Sequence, residues 1–286
     1  MRPADMGTAK IVLFTLLTLA VAVLAGAFAV VWGGLYDTAA TQQHFQPVYS
    51  MIERAMRQSV RLRARAVEVP PMLDAPQLIA RGAGCFRDRC VVCHGAPGVA
   101  QSPFGQSMQP LPGPLMDAAH RWKPRELYWL TRNGIRMSGM PAWQFHLSDE
   151  DLWAVVAFLQ KLPELSPREY AQSADPASAP ACKAPRSAGG PARAADAARG
   201  RVALTQYACS ACHTIPGVAG SYPQVGPPLS GMARRTFIAG RLPNTPDNLV
   251  RWITRTHEVD PRSAMPDMGV SEQDARDIAA YLATLD

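Results

Sequence analysis

The chain has 286 residues, 48% of them hydrophobic and 18% charged, which excludes wholesale disorder and leaves room for one large domain or two small ones. Its 26 prolines and 21 glycines point to loops and linkers, far short of a collagen-like repeat, and six cysteines are too few for a disulfide scaffold at this length. A net charge of +6 and a pI of about 9.2 favour acidic partners or anionic surfaces; without a supporting motif they select no nucleic acid.

Ile11 to Tyr36 carries no charge. As a helix this stretch is ~39 Å long, against a hydrocarbon core of ~30 Å, so a membrane anchor over residues 1–36 is expected. A leader cleaved near Ala25-Gly26-Ala27 is the alternative, although apolarity continues past that point. Arg2 and Lys10 place the N-terminus in the cytoplasm, while most of the arginines between Arg54 and Arg65 lie too far downstream to count. Pro47 to Arg65, within a connector over 37–74, reads as a helix. Val48, Ile52, Ala55, Met56 and Ser59 share one face, and Arg54, Arg57, Arg61 and Arg65 line another. The basic strip is either a solvated face or a contact for anionic headgroups or an acidic partner.

The chain then repeats itself once, over 75–165 and 199–286. Each unit has a short helix, a CxxCH motif, a Gly/Pro-rich loop, a middle helix, a Met-Pro dipeptide and a closing amphipathic helix. Residues 166–198, rich in Pro, Ala, Ser and Gly, are expected to be a linker that buries little. The middle helices are expected to start at Pro124 and at Thr245-Pro246, the first stopping at Asn133-Gly134. The closing helices start at Ser148 and Ser271 in capping-box-like sequences. No segment shows sustained period-2 alternation, so the expected fold is all-α.

The motifs are Cys90-Val91-Val92-Cys93-His94 and Cys209-Ser210-Ala211-Cys212-His213. CxxCH is the sequence sign of covalent c-type haem attachment: one helical turn presents two thiols to the vinyl groups, and the adjacent imidazole meets the iron. A lone CxxC is also compatible with zinc or a redox dithiol; two copies, each followed by His, are much more specific. Two haem c groups are therefore expected. The sixth ligand is expected to be Met140, in Ser138-Gly139-Met140-Pro141, and Met265, in Ala264-Met265-Pro266, with Met137 and Met268 as rivals. Attached haems place the body outside the cytoplasm. There the leftover Cys85 and Cys182 have the chance to pair, closing 96 intervening residues.

On these residues both repeats resemble class I c-type cytochrome domains, and the anchor plus first domain resembles membrane-anchored proteobacterial cytochromes of respiratory chains. The resemblance implies His94, Met140, His213 and Met265 as iron ligands and Cys90, Cys93, Cys209 and Cys212 as attachment points. It implies a proline carbonyl accepting from the proximal histidine. Pro227 matches in the second repeat, and Pro112 or Pro114 in the first. Arg235 and Trp252 stand where propionate partners are expected, as do Trp122 and Trp129 in the first repeat. His44, His120, His146 and His257 read as surface or core residues.

The function this implies is a single-electron relay on the periplasmic side of the bacterial inner membrane, without a small-molecule substrate. The expected donor is a quinol-oxidising complex or dehydrogenase, and the expected acceptor a terminal oxidase. A dihaem peroxidase, or a haem-based sensor or assembly subunit, is the alternative; two intact Met-Pro loops argue against an open iron.

Overall fold

A computed structural model describes residues 4–182, 193–220, 222–223 and 225–286. Arg2 and residues 183–192 of the expected linker lie outside the described residues. The chain divides into two compact units, residues 1–55 and 56–286.

The first unit is dominated by helix α1, Ala4–Trp32, within which Gly7–Trp32 has a mean hydropathy of 2.6. Among the described residues it is the one helix long and apolar enough to cross a membrane. Two of its threonines are satisfied within the helix: Thr15 and Thr18 Oγ1 each donate at 2.9 Å to the carbonyl four residues back, of Ile11 and Phe14. Phe28 and Trp32 stack at 4.8 Å near its C-terminal end, where aromatic side chains suit a headgroup boundary.

Helix α2, Gln46–Arg63, begins one residue before the expected proline. It does not bury the whole face that periodicity suggested. Val48 and Ile52 are exposed, and burial falls on Val60 and on Ala64 in the 3₁₀ turn that follows. Arg54, Arg61 and Arg65 stay solvated, whereas the Arg57 guanidinium lies 5.6 Å over the ring of Trp122.

The second unit holds two hydrophobic clusters, one per repeat. In the first, helix α3, Pro76–Cys85, runs on through a π turn, Phe86–Cys90, to Val91–His94. Helices α4, Pro124–Asn133, and α5, Asp149–Lys161, complete it. Helix α6, Pro167–Ser173, follows. In the second, helix α7, Ala197–Gln206, leads to a 3₁₀ turn at Cys209–Ala211, and helices α8, Pro246–Thr254, and α9, Glu272–Leu282, close the unit. One departure from all-α is a two-residue antiparallel ribbon, β1 Phe237–Ile238 with β2 Leu242–Pro243. A pair this short leaves no alternation to read.

The main packing in each repeat is the first helix on the closing one, α3 on α5 and α7 on α9. The same Arg-Gly dipeptide makes both crossings. A Cβ on Gly82 would stand 1.9 Å from the Ala154 carbonyl oxygen, and one on Gly200 1.9 Å from that of Asp277. The preceding arginines reach acids of the closing helix: Arg81 Nε lies 2.6 Å from Asp151, and Arg199 3.3 Å from Asp274. Ser148 and Ser271 cap the closing helices, their hydroxyls accepting from the Asp151 and Asp274 amides at 3.1 Å. Gly82→Ala and Gly200→Ala are each expected to destabilise the chain by about 1–3 kcal/mol, because backbone cannot yield as a side-chain tip can. Denaturant unfolding read by far-ultraviolet dichroism measures this.

The segment expected to be a linker is half incorporated into the first repeat. Tyr170 and Ala179 are buried in its core, with the Tyr170 ring 6.2 Å from Phe86. Arg87 Nη1 donates to the carbonyls of Ala174 (2.7 Å) and Ala179 (3.2 Å), and the Cys182 amide donates to Asp88 (2.8 Å). A disulfide joins Cys182 to Cys85. A Pro/Ala-rich composition hides one aromatic anchor and one thiol, and these suffice to strap residues 166–182 onto α3.

Candidate haem sites

The two CxxCH motifs are delivered differently. The first lies on helix continuous with α3; the second follows a break at Ala208, whose φ of +53° is left-handed. Beyond that break the chemistry converges. His94 Nδ1 donates to the Gly113 carbonyl at 2.7 Å, and His213 Nδ1 to that of Pro227 at 2.8 Å. A carbonyl only accepts, so each Nδ1 carries the proton and each Nε2 keeps its lone pair for a metal. Burial lowers the His94 pKa against the raising effect of the Gly113 bond, which keeps that ring neutral.

In the second repeat the acceptor is the Pro227 carbonyl. In the first repeat the acceptor is neither Pro112 nor Pro114 but Gly113 between them. The Pro112 carbonyl is taken by Gln101 Nε2 at 2.5 Å. Carbonyls alternate along an extended Pro-Gly-Pro strip, and the sequence alone does not show which one faces the ring.

Gly226 brings the second loop close: a Cβ there would stand 2.6–3.0 Å from three atoms of the His213 ring. Arg235 acts on the site through this same loop. Its Nη2 donates to the carbonyls of Pro228 (2.6 Å) and Ser230 (3.1 Å), so its visible task is bracing. Trp252 packs half-buried against the second core, and Trp122 against the first. A cavity of about 400 Å³ opens beside the second motif, lined by Ser210, His213, Ile215, Gly217 and Tyr222 among others.

The methionine loops share a construction that sequence reading missed. The Met140 amide donates to Ser138 Oγ and the Met265 amide to Ser263 Oγ, both at 3.2 Å. The repeated Ser-x-Met-Pro was the available signal. Gly134, with φ +67°, adds a second support. A Cβ there would stand 2.6 Å from the Met140 carbonyl oxygen, which itself accepts from the Ile135 amide at 3.2 Å. Met140 and Met265 are half-buried, whereas Met137 is 91% exposed and Met268 packs on the second core. His257 Nε2 lies 3.1 Å from the Ser263 carbonyl, His44 pairs with Tyr36, and His120 is exposed.

The donor set fits a haem c. Burial pushes the Cys90 thiol up to about 12 and Cys209 to about 11, so neither is the ready thiolate of a redox dithiol. No group of three or more metal-ligating His, Cys, Asp or Glu is found among the described residues, which is unlike a zinc site.

Comparison with known proteins agrees with this chemistry. One relative, Cytochrome c oxidase subunit 2 of Alkalihalophilus pseudofirmus (strain ATCC BAA-2126 / JCM 17055 / OF4), is 31% identical over 88 residues, covering 30% of this chain and 25% of that protein. The chain thus matches about a quarter of that relative's length. No solved structure matches. The family model for Cytochrome C oxidase, cbb3-type, subunit III matches residues 77–159 and 195–282, which are the two repeats and more than half of the chain. With its CxxCH motifs, carbonyl-oriented histidines and largely helical repeats, the chain belongs to the family of Cytochrome C oxidase, cbb3-type, subunit III, whose cytochrome c domains carry covalently bound haem c.

Proposed function

We propose that the chain carries two haem c groups, is anchored by α1 with its repeats in the periplasm, and relays single electrons from a quinol-oxidising complex or dehydrogenase to a terminal oxidase. The observation that carries this reading is the duplicated histidine geometry, Nδ1 spent on a backbone carbonyl and Nε2 left free, each within a CxxCH. A haem c bound at each site supplies a reversible one-electron iron couple. Cys90 and Cys93, and Cys209 and Cys212, would hold it covalently. His94 and His213 would ligate through Nε2, each ring oriented by the Gly113 or Pro227 carbonyl. Met140 and Met265 would supply thioether ligands, which favour a raised potential. With a histidine and a methionine both committed to the iron, each site would serve electron transfer and would leave no ligand position for a substrate. Arg235 steadies the loop behind His213, and Trp252 packs on the core of the same repeat.

The anchor keeps the relay at high effective concentration beside a membrane partner. The net charge of +6 favours an acidic docking face, so turnover with an isolated oxidase is expected to fall as ionic strength rises. Affinity purification from solubilised membranes tests the partners, and pigment counting tests the stoichiometry. The expected result is an oxidase co-purifying with a chain that carries two haems. Only soluble dehydrogenases, or fewer than two haems per chain, would overturn the reading.

A further inference from the structure

The loop after Met140 does not stay in its own repeat. Ala142 and Phe145 are 5% and 2% exposed, and both belong to the hydrophobic cluster of the second repeat, beside Leu204, Tyr207 and Ile278. Helix α7 receives them. Gln206 Oε1 accepts from the Ala142 amide at 3.3 Å, and Arg199 Nη1 donates to Gln144 Oε1 at 3.1 Å. The same guanidinium lies 4.7 Å over the Phe145 ring while its other nitrogens face Asp274 (3.3 Å) and Asp277 (3.5 Å). The planar fork is what allows one side chain to stack, bridge and pair at once.

Tyr207 completes the contact. Its ring meets Phe145 edge-on at 6.0 Å and His146 at 6.3 Å. Its hydroxyl proton goes to Asp274 at 2.8 Å, with the Phe145 carbonyl a longer neighbour at 3.4 Å. Tyr207 stands two residues before Cys209. Between them Ala208 holds a left-handed φ of +53°, which a side chain adopts only where both flanks are fixed. The second repeat has no counterpart: Met265 is followed by Pro266-Asp267-Met268-Gly269-Val270, two residues shorter before the capping serine and without an aromatic.

We infer that Pro141–His146 is a clamp between the two haem domains, and that electron exchange between their sites depends on the Phe145–Arg199–Tyr207 contact. The inference rests on the two-haem reading. Along the chain, four residues separate Met140 from Phe145 and one separates Tyr207 from Cys209, so the contact joins the methionine loop of one site to the attachment cysteine of the other. Contiguous packed side chains of this kind carry coupling between sites. In the step itself one iron is oxidised and the other reduced by the same electron, with no proton or co-reactant required. Phe145, Arg199 and Tyr207 are positioning residues.

The test uses the full-length chain in detergent, reduced at one site by a flash, with re-equilibration between the two haems followed optically. Phe145→Ala is expected to slow that exchange by about 10–100-fold, the scale on which small misplacements act. Haem content and both midpoint potentials should stay at wild-type values. Phe145→Leu, which keeps most of the volume, is expected to restore most of the rate. Arg199→Lys keeps the charge facing Asp274 and Asp277 but removes the planar stack, and should also slow exchange; it decides the question if Phe145→Ala does not fold. Wild-type exchange in either loaded variant overturns the clamp. A wild-type chain with only one haem overturns the two-haem reading instead.

Discussion

Met265→Ala is expected to leave a chain that still attaches its haem but loses the sulfur-to-iron absorption of the second site and binds carbon monoxide when reduced. On the proposed reading the thioether comes from a pinned loop, and the rival Met268, three residues on, is packed against the core instead. Its amide is fixed to Ser263 Oγ, and Pro266 stiffens the next residue. The potential of that site should fall by on the order of a hundred millivolts or more, within the ~0.8 V that axial ligation spans. Met268→Ala is the matched comparison. It removes a side chain packed on the core and is expected to lower stability by about 1–2 kcal/mol, leaving spectrum and potential unchanged. Met140→Ala and Met137→Ala form the equivalent pair in the first repeat. There the contrast should be sharper, since Met137 is 91% exposed and packs on almost nothing. A methionine-ligated spectrum surviving in Met265→Ala but not in Met268→Ala would reassign the ligand. Titration with carbon monoxide and redox potentiometry read both effects.

Much of this was legible because covalent haem chemistry constrains residue type and spacing at once. The CxxCH motifs, the serine caps at Ser148 and Ser271 and the proline starts at Pro124 and Pro246 each depend on a local rule, and each appears where the rule puts it. What escaped depends on long-range geometry. The Gly113 carbonyl faces His94 because of how the whole loop folds back, and Pro112-Gly113-Pro114 offers three nearly equivalent acceptors in sequence. Arg81-Gly82 and Arg199-Gly200 look like ordinary helix residues until α5 and α9 are laid across them. The clamp at Phe145 is invisible in principle from one repeat, since its partners Arg199, Gln206 and Tyr207 belong to the other. The packing of residues 166–182, within a stretch expected to bury little, has the same origin. Composition describes the average of residues 166–198, whereas Tyr170, Ala179 and Cys182 act individually.

Removing the Cys85–Cys182 bridge is expected to destabilise the first repeat by about 2–5 kcal/mol. The two cysteines are 97 residues apart in sequence, and on the chain-entropy model a crosslink closing so long a loop restricts the unfolded chain by ~4–5 kcal/mol. The folded side adds to this. Without the bridge, residues 166–182 keep Tyr170 in the core, but their far end is held only by the small Ala179 side chain and the Arg87 and Asp88 hydrogen bonds. The strap should therefore open more readily than the repeat as a whole, because local opening follows the number of buried contacts that must break. Urea unfolding of Cys85→Ala/Cys182→Ala should show the first repeat melting early, with the second site's absorbance retained to higher urea. Limited proteolysis should cut the strap in the variant and spare it in the oxidised parent. Equal midpoints for variant and parent, or two alkylatable thiols in the unreduced parent, would show that the bridge does not contribute as argued.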